Sequence, residues 1–297
     1  MELPEELLSI PYSRDVPFRK LTTLGLGGVC RWLFEPVTEG QARRFVKTCR
    51  AFNLNYRVLG GGSNLLALSD VTVPVMRLAL PKELSVTENR VYASASYSHP
   101  ALARDVADMG LSGIEWACGI PGSFGGALRM NAGAHGGEWG RVVDCVRFLT
   151  ADGEIIEKKT AISDFSYRSS FLAAGHIALG AWFDLTKGDA GAIKKKMGEY
   201  LSIRRQRQPT GRTAGSVFKN PPGKIAGQLI ESAGLKGVRI GNAEVSSIHS
   251  NFLVNLGDAS PSDYWELVKY VRAKVAEAHD CQLELEIEVW SEPKAIF

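Results

Sequence analysis

The sequence predicts an α+β protein of two domains, and three observations predict it. At 297 residues the chain is longer than most single domains. Strand-like and helix-like segments follow one another in mixed order, without a regular β-α repeat. Near Gly188, glycine-bearing, strand-rich sequence gives way to a long helical pattern. Hydrophobic residues make up 45% and charged residues 23%. Those proportions supply a core and exclude general disorder.

Taken in order, residues 1–37 read as an irregular polar arm followed by TTLGLGGVCRWLF. Thr38 and Gln41 then form a capping box, and Ala42, Phe45, Val46 and Cys49 share one helical face. Tyr56–Leu59 reads as a short strand running into glycines, and residues 71–97 as several short strands. Ser98 and Pro100 open a second helix carrying Leu102, Val106 and Met109. Strand patterns return at Val142–Leu149 and His176–Leu185. Beyond Gly188 a helix places Ile193, Met197, Tyr200 and Leu201 on one face and ends in the basic run Arg204–Arg207. Ser260-Pro261-Ser262-Asp263 caps a last helix faced by Tyr264, Leu267, Val268, Val271 and Val275. The final strand alternates Leu283, Leu285, Ile287 and Val289 with Glu284, Glu286 and Glu288.

Net charge is only +3, which argues against a protein built mainly to bind a nucleic-acid backbone. The five cysteines are odd in number and contain no CxxC pair. A disulfide framework and a zinc site are therefore not expected, and reduced thiols suit the cytosol. The acidic start MELPEELLSI does not read as a signal peptide. No apolar run reaches bilayer-spanning length.

Two glycine-rich segments are candidates for chemistry. In Leu59-Gly60-Gly61-Gly62-Ser63-Asn64-Leu65, glycines after a strand let backbone N–H groups turn to an anion. A plain tight turn would read the same way. The chain contains no Walker A lysine and no GxGxxG. The second segment, Gly119-Ile120-Pro121-Gly122-Ser123-Phe124-Gly125-Gly126, leads to Asn131-Ala132-Gly133. Small residues at that density admit a flat ligand against backbone, or close packing of a buried loop.

The order GGGSNLL, GIPGSFGGALRMNAGA, Tyr167-Arg168-Ser169-Ser170, GSVFKNP and Leu285-Glu286-Ile287-Glu288-Val289 resembles the UDP-N-acetylenolpyruvoylglucosamine reductase (MurB) family, from about Leu21 to about Trp290. The resemblance implies a two-lobed FAD-binding part of the vanillyl-alcohol-oxidase (PCMH) type at 1–187, with lobes of about 1–78 and 79–187. A separate α/β substrate-binding domain at 188–297 would follow. It implies FAD as cofactor, NADPH as hydride donor and a nucleotide-sugar enolpyruvyl ether as substrate. The setting would be cytoplasmic cell-wall precursor synthesis by a monomer or weak oligomer, with no nucleic-acid, membrane or metal partner.

The cofactor-binding residues implied are Gly60, Gly61, Gly62, Ser63, Asn64, Leu65, Gly119, Ile120, Pro121, Gly122, Ser123, Gly125, Gly126, Asn131, Ala132 and Gly133. Arg168 matches the family arginine of YRxS, whose guanidinium would hold a carboxylate in fixed geometry. Ser216 matches the family serine that protonates the carbanion. Glu288 matches the family glutamate near the end of the last strand, with Glu286 the alternative if the register differs by one pair. Arg204, Arg207, Lys219 and Asn220 are candidates for the UDP portion, although a basic run also complements a helix C-terminus. His249 lies in a recognisable segment that could serve packing. Trp290 departs from the family, which often places a basic residue there. The short stretch from Arg168 to Ser216 resembles the compact subclass that lacks a tyrosine-bearing loop. Rival readings are another flavin oxidase of the superfamily and a non-catalytic FAD- or nucleotide-binding protein.

Overall fold

The computed structural model describes residues 3–291. They form two compact units. The first runs to Ser13 and includes Trp32–Gly61 and Val73–Arg204; the second comprises Arg14–Arg31, Gly62–Thr72 and the chain from Arg205 onward.

In the first unit, helix α1 (Glu5–Leu8) buries Leu7 and α2 (Glu39–Ala51) buries Ala42, Phe45, Val46 and Cys49, the face expected for α2. Both pack with Phe34 and Met76 in one core cluster. The expected polar arm is thus a structured edge of the core, because Leu7 and Ile10 have apolar partners that the local sequence does not display. Strand segments Leu33–Phe34 and Arg57–Val58 flank Val75–Met76 in parallel. A five-stranded antiparallel sheet follows the order Ile155–Lys159, Val143–Leu149, Ile177–Asp184, Arg90–Ser94, Leu84–Thr87. Helix α3 (His99–Asp108), α4 (Phe124–Arg129) and α5 (Ala190–Arg207) supply the other layer. Their core joins Leu102, Val106, Phe124, Trp139 and Phe183.

The sequence places a boundary at Gly188. Ile193 and Met197 of α5 are instead buried in this first core, with Tyr200 and Leu201 packed against it. The unit therefore continues to Arg204. The apolar stripe of α5 faces earlier chain, and burying it outweighs the change in composition at Gly188.

The second unit has its own core. An antiparallel sheet orders Arg212–Ser216, Phe252–Asn255, Ala243–Val245 and Arg239–Ile240. Helix α6 (Ala226–Ser232) and α7 (Pro261–His279) cover it, and α7 buries the five residues expected of its face. The strand expected over 283–289 is shorter. Leu285 bridges Phe218, and a strand proper forms only at Glu288–Trp290, parallel to Leu65–Ala67. That pairing is why Gly62–Thr72 belongs with the C-terminal chain.

All described cysteines are free thiols. No described helix is long and apolar enough to cross a membrane.

Helix α7 opens on a reciprocal cap: Asp263 N–H donates to Ser260 Oγ (3.0 Å), and Ser260 N–H donates to Asp263 Oδ2 (2.9 Å). Ser260→Ala is expected to cost about 1 kcal/mol. A lowered thermal midpoint with α7's packing intact would register it.

Candidate active site

The two glycine segments meet inside the first unit. A Cβ on Gly61 would stand 2.5 Å from Gly122 Cα, and one on Gly60 would stand 3.1 Å from Ser123 Oγ. Close approach of backbone to backbone is therefore what these glycines permit. Among the described residues, the amide N–H groups of Gly60, Gly61, Gly122 and Ser123 meet no acceptor. Such amides, gathered where two loops touch, suit an anion such as a dinucleotide diphosphate. The residues present fit a cofactor of that kind.

The remaining cofactor candidates divide by role. Gly125 lies against Ala95, and its N–H donates to Ala95 O. Gly133 lies against Gly137 and Glu138 in a tight antiparallel pair. Asn131 sits at positive φ, 2% exposed, with its side chain committed internally. Its Nδ2 donates to Ser166 O (3.1 Å) and its Oδ1 accepts from Gly140 N–H (2.8 Å). These groups shape the loop from within. Gly62, Ser63, Asn64 and Leu65 belong to the second unit.

His99 explains how the Gly119–Gly122 loop is held. Its backbone N–H donates to Gly122 O (3.0 Å), and its Nδ1 lies 3.1 Å from Ile120 O. Trp139 Nε1 donates to His99 Nε2 at 2.7 Å. An indole N–H can only donate, so Nε2 is the acceptor and the ring proton sits on Nδ1, donated to Ile120 O. Burial holds the His99 imidazolium down to about 4, with the Ile120 carbonyl partly opposing. A lone histidine beside Pro100 offers no sequence signal for this role.

Arg168 lies at the tip of the Phe165–Ser166/Ser169–Ser170 hairpin, at φ +58°, over the Tyr167 ring. Ser170 Oγ donates to Arg129 O (3.0 Å), and Asn131 bonds Ser166, so the YRSS hairpin is tied to the glycine-rich segment. Arg204 lies with Cδ against Gly119. It has no carboxylate partner among the described residues, and burial lowers its affinity for protons.

The second unit joins three motifs in one seam. Glu286 N–H donates to Val217 O (2.8 Å), and Lys219 N–H donates to Glu284 O (2.8 Å). Asn64 Nδ2 donates to Glu286 O (2.9 Å), and Glu288 N–H donates to Asn64 O (2.9 Å). Ser216 and Glu288 thus flank the same stretch of pairing, both half-buried. Among the described residues Ser216 Oγ has no partner. Lys219 makes a long ion pair to Glu284 (3.5 Å). Asn220 Oδ1 accepts from Ala226 N–H (3.0 Å), serving the start of α6. Arg207 is exposed at the end of α5. Trp290 is 4% exposed and packs edge-on against Phe18, a core position with no charge to offer a substrate.

Residues 31–158 match the FAD binding domain, and residues 207–290 match the C-terminal domain of UDP-N-acetylenolpyruvoylglucosamine reductase. The chain is 36% identical to the reductase of that name from Bacillus pumilus, over 98% of both chains. This chain belongs to the UDP-N-acetylenolpyruvoylglucosamine reductase family. Another family member, from Synechococcus, is 40% identical over 92% of this chain and 91% of its own. The family's crystal structure from Thermus caldophilus superposes with a TM-score of 0.80 at 37% identity, covering 95% of this chain and 99% of the other. The α+β fold and FAD dependence expected from the sequence hold.

Two outcomes are expected. Gly61→Ala forces a Cβ into the Gly122 backbone and weakens FAD retention, seen as loss of visible absorbance on gel filtration. Unfolded chain takes up a proton at histidine near pH 6.5, whereas folded His99 does so only near pH 4. Stability is therefore complete above the first value and declines as pH falls through the window between them, by up to roughly 3 kcal/mol. Thermal unfolding against pH should show a shallower decline in His99→Gln than in wild type.

Proposed function

We propose that this chain reduces the enolpyruvyl ether of UDP-N-acetylenolpyruvoylglucosamine to UDP-N-acetylmuramate, using bound FAD and NADPH, for peptidoglycan precursor synthesis. The reaction would take place in the cytoplasm, on a monomer or weak oligomer. Functionally, residues 1–187 would serve mainly the cofactor and 188–297 mainly the nucleotide sugar. The observation that carries the reading is the seam of the second unit, which brings the family's serine and glutamate segments together in a chain matching family members along nearly its whole length.

FAD, when bound, supplies hydride transfer from NADPH to the methylene carbon of the ether. The residues to hold it are Gly60, Gly61, Gly62, Ser63, Asn64 and Leu65, with the Gly119–Gly126 loop and the backbone of Asn131–Gly133. The amides of Gly60, Gly61, Gly122 and Ser123 suit its diphosphate. His99 keeps their loop in place through Ile120 and Gly122.

Charge develops on the substrate carbon next to its carboxylate, and the chain must stabilise and then neutralise it. Arg168 is assigned to that carboxylate, on its motif: a guanidinium keeps its charge at any working pH and bonds an enolate-bearing carboxylate in a fixed plane. Ser216 is assigned the proton. A hydroxyl is a weak acid, so it delivers a proton only to a strongly basic carbanion, and its Oγ must stand free of stronger internal bonds. Glu288 completes the polar surroundings, its backbone fixed by Asn64 O. Glu288, in the strand beside Leu65, is assigned over Glu286 on its motif. Arg204, Arg207, Lys219 and Asn220 are assigned to the UDP portion.

In Ser216→Ala, bleaching of the flavin by NADPH should proceed at the wild-type rate. Recolouring by the enolpyruvyl nucleotide should slow by about 10²–10³, the effect of losing one positioned polar group. Near-normal turnover would overturn the assignment of Ser216.

A further inference from the structure

The segment carrying Ser216 changes partners at that residue. Upstream, Arg212 and Thr213 pair with Asn255 and Val254 on the neighbouring strand. The register then shifts between Thr213 and Ser216, with Gly215 at φ +80°, and Ser216 opposite Phe252 is the last pair. Downstream, Phe218 bridges Leu285 instead. A strand that swaps partners leaves peptide groups facing the abandoned side, and Val217 and Phe218 are both fully buried. An unpaired buried peptide would cost about as much as a lost hydrogen bond.

Asn251 fills that gap. Its backbone O accepts from Val217 N–H (2.8 Å). Its side-chain Oδ1 accepts from Phe218 N–H (3.0 Å), and its Nδ2 donates to Phe218 O (2.8 Å). The carboxamide thereby imitates a strand neighbour, offering one acceptor and one donor to a single residue. Asn251 is itself 3% exposed, and its N–H donates to His249 Nδ1 (3.3 Å), so the clamp has little freedom to move. On its other edge the same segment is bonded from Glu286 and Glu284, next to Glu288.

We infer that Asn251 is a positioning residue for proton delivery: its side-chain amide locks the Phe218 peptide and so sets where the Ser216 hydroxyl stands. The inference rests on the reading of Ser216 as the proton donor. Asn251 touches no reacting atom and works through Ser216. An amide is required because a carboxylate keeps the acceptor but sets an oxygen against Phe218 O, while alanine gives up both bonds. The bonds to Val217 come from backbone and survive any substitution.

The test uses the FAD-loaded enzyme and separates its two half-reactions. In Asn251→Ala, reduction by NADPH and the Kd for the enolpyruvyl nucleotide should stay within a factor of about two of wild type. Reoxidation by that nucleotide should slow by about 10²-fold, the scale for an atom displaced by about 1 Å, and should show a larger solvent deuterium isotope effect. Asn251→Asp should lose a comparable share. It also carries the test if the alanine variant yields no holoenzyme, since it retains the bond to Phe218 N–H. In the Ser216→Ala background, Asn251→Ala should add no further loss, because the group it positions is gone. Equal slowing of both half-reactions, a normal reoxidation rate, or fully additive losses in the double variant would each overturn the inference. Should Ser216→Ala alone reoxidise normally, the fault lies in the assignment of Ser216.

Discussion

The second unit of this molecule depends on one constraint: the peptide groups of Val217 and Phe218 are buried and must be paired on both edges. Asn251 supplies one edge and the Glu284–Glu286 backbone the other. Because neither edge can be given up without exposing polar groups to an apolar core, Ser216 has one position relative to Glu288. Asn64 extends the same seam, bonding Glu286 through its side chain and Glu288 through its carbonyl. In the role proposed for Ser216, a weak acid such as a hydroxyl is effective only when held where charge appears. A seam of short hydrogen bonds achieves that better than a loop could.

The first unit solves a different problem by a related route. There the glycine loops touch through backbone, Gly61 against Gly122. Their carbonyls at Ile120 and Gly122 are taken up by His99. Carbonyls bound to one side leave amides available on the other. The histidine can do this only while neutral, because its Nε2 must accept from Trp139. Burial against Trp116 and Trp139 keeps it so across neutral pH.

Much of the fold was legible. The faces of α2 and α7, the capping of both, and the strands near Val143–Leu149 and Ile177–Asp184 follow from periodicity and cap residues, which are local. The features that escaped depend on distant partners. The N-terminal arm is ordered by Phe45 and Met76, and α5 belongs with the core of the preceding chain. The final strand stops being regular where Val217 and Asn64 bond successive groups of its backbone. Among the residues proposed for the site, the motifs named Ser216 and Glu288 but carried no sign of His99 or Asn251. A histidine after a serine cap and an asparagine before a strand look ordinary in isolation.

The sequence by itself determined the α+β class, most helix positions, the family and the motif segments, because these rest on the order and spacing of residues along the chain. Only the tertiary structure decided which glycines face backbone and which amides remain open. It alone decided where the two units divide, which tautomer His99 holds, and what clamps the strand of Ser216. The reason is that a hydrogen bond between residues thirty-three positions apart, as between Phe218 and Asn251, leaves no periodic trace. It exists only once the core has brought both peptides out of water.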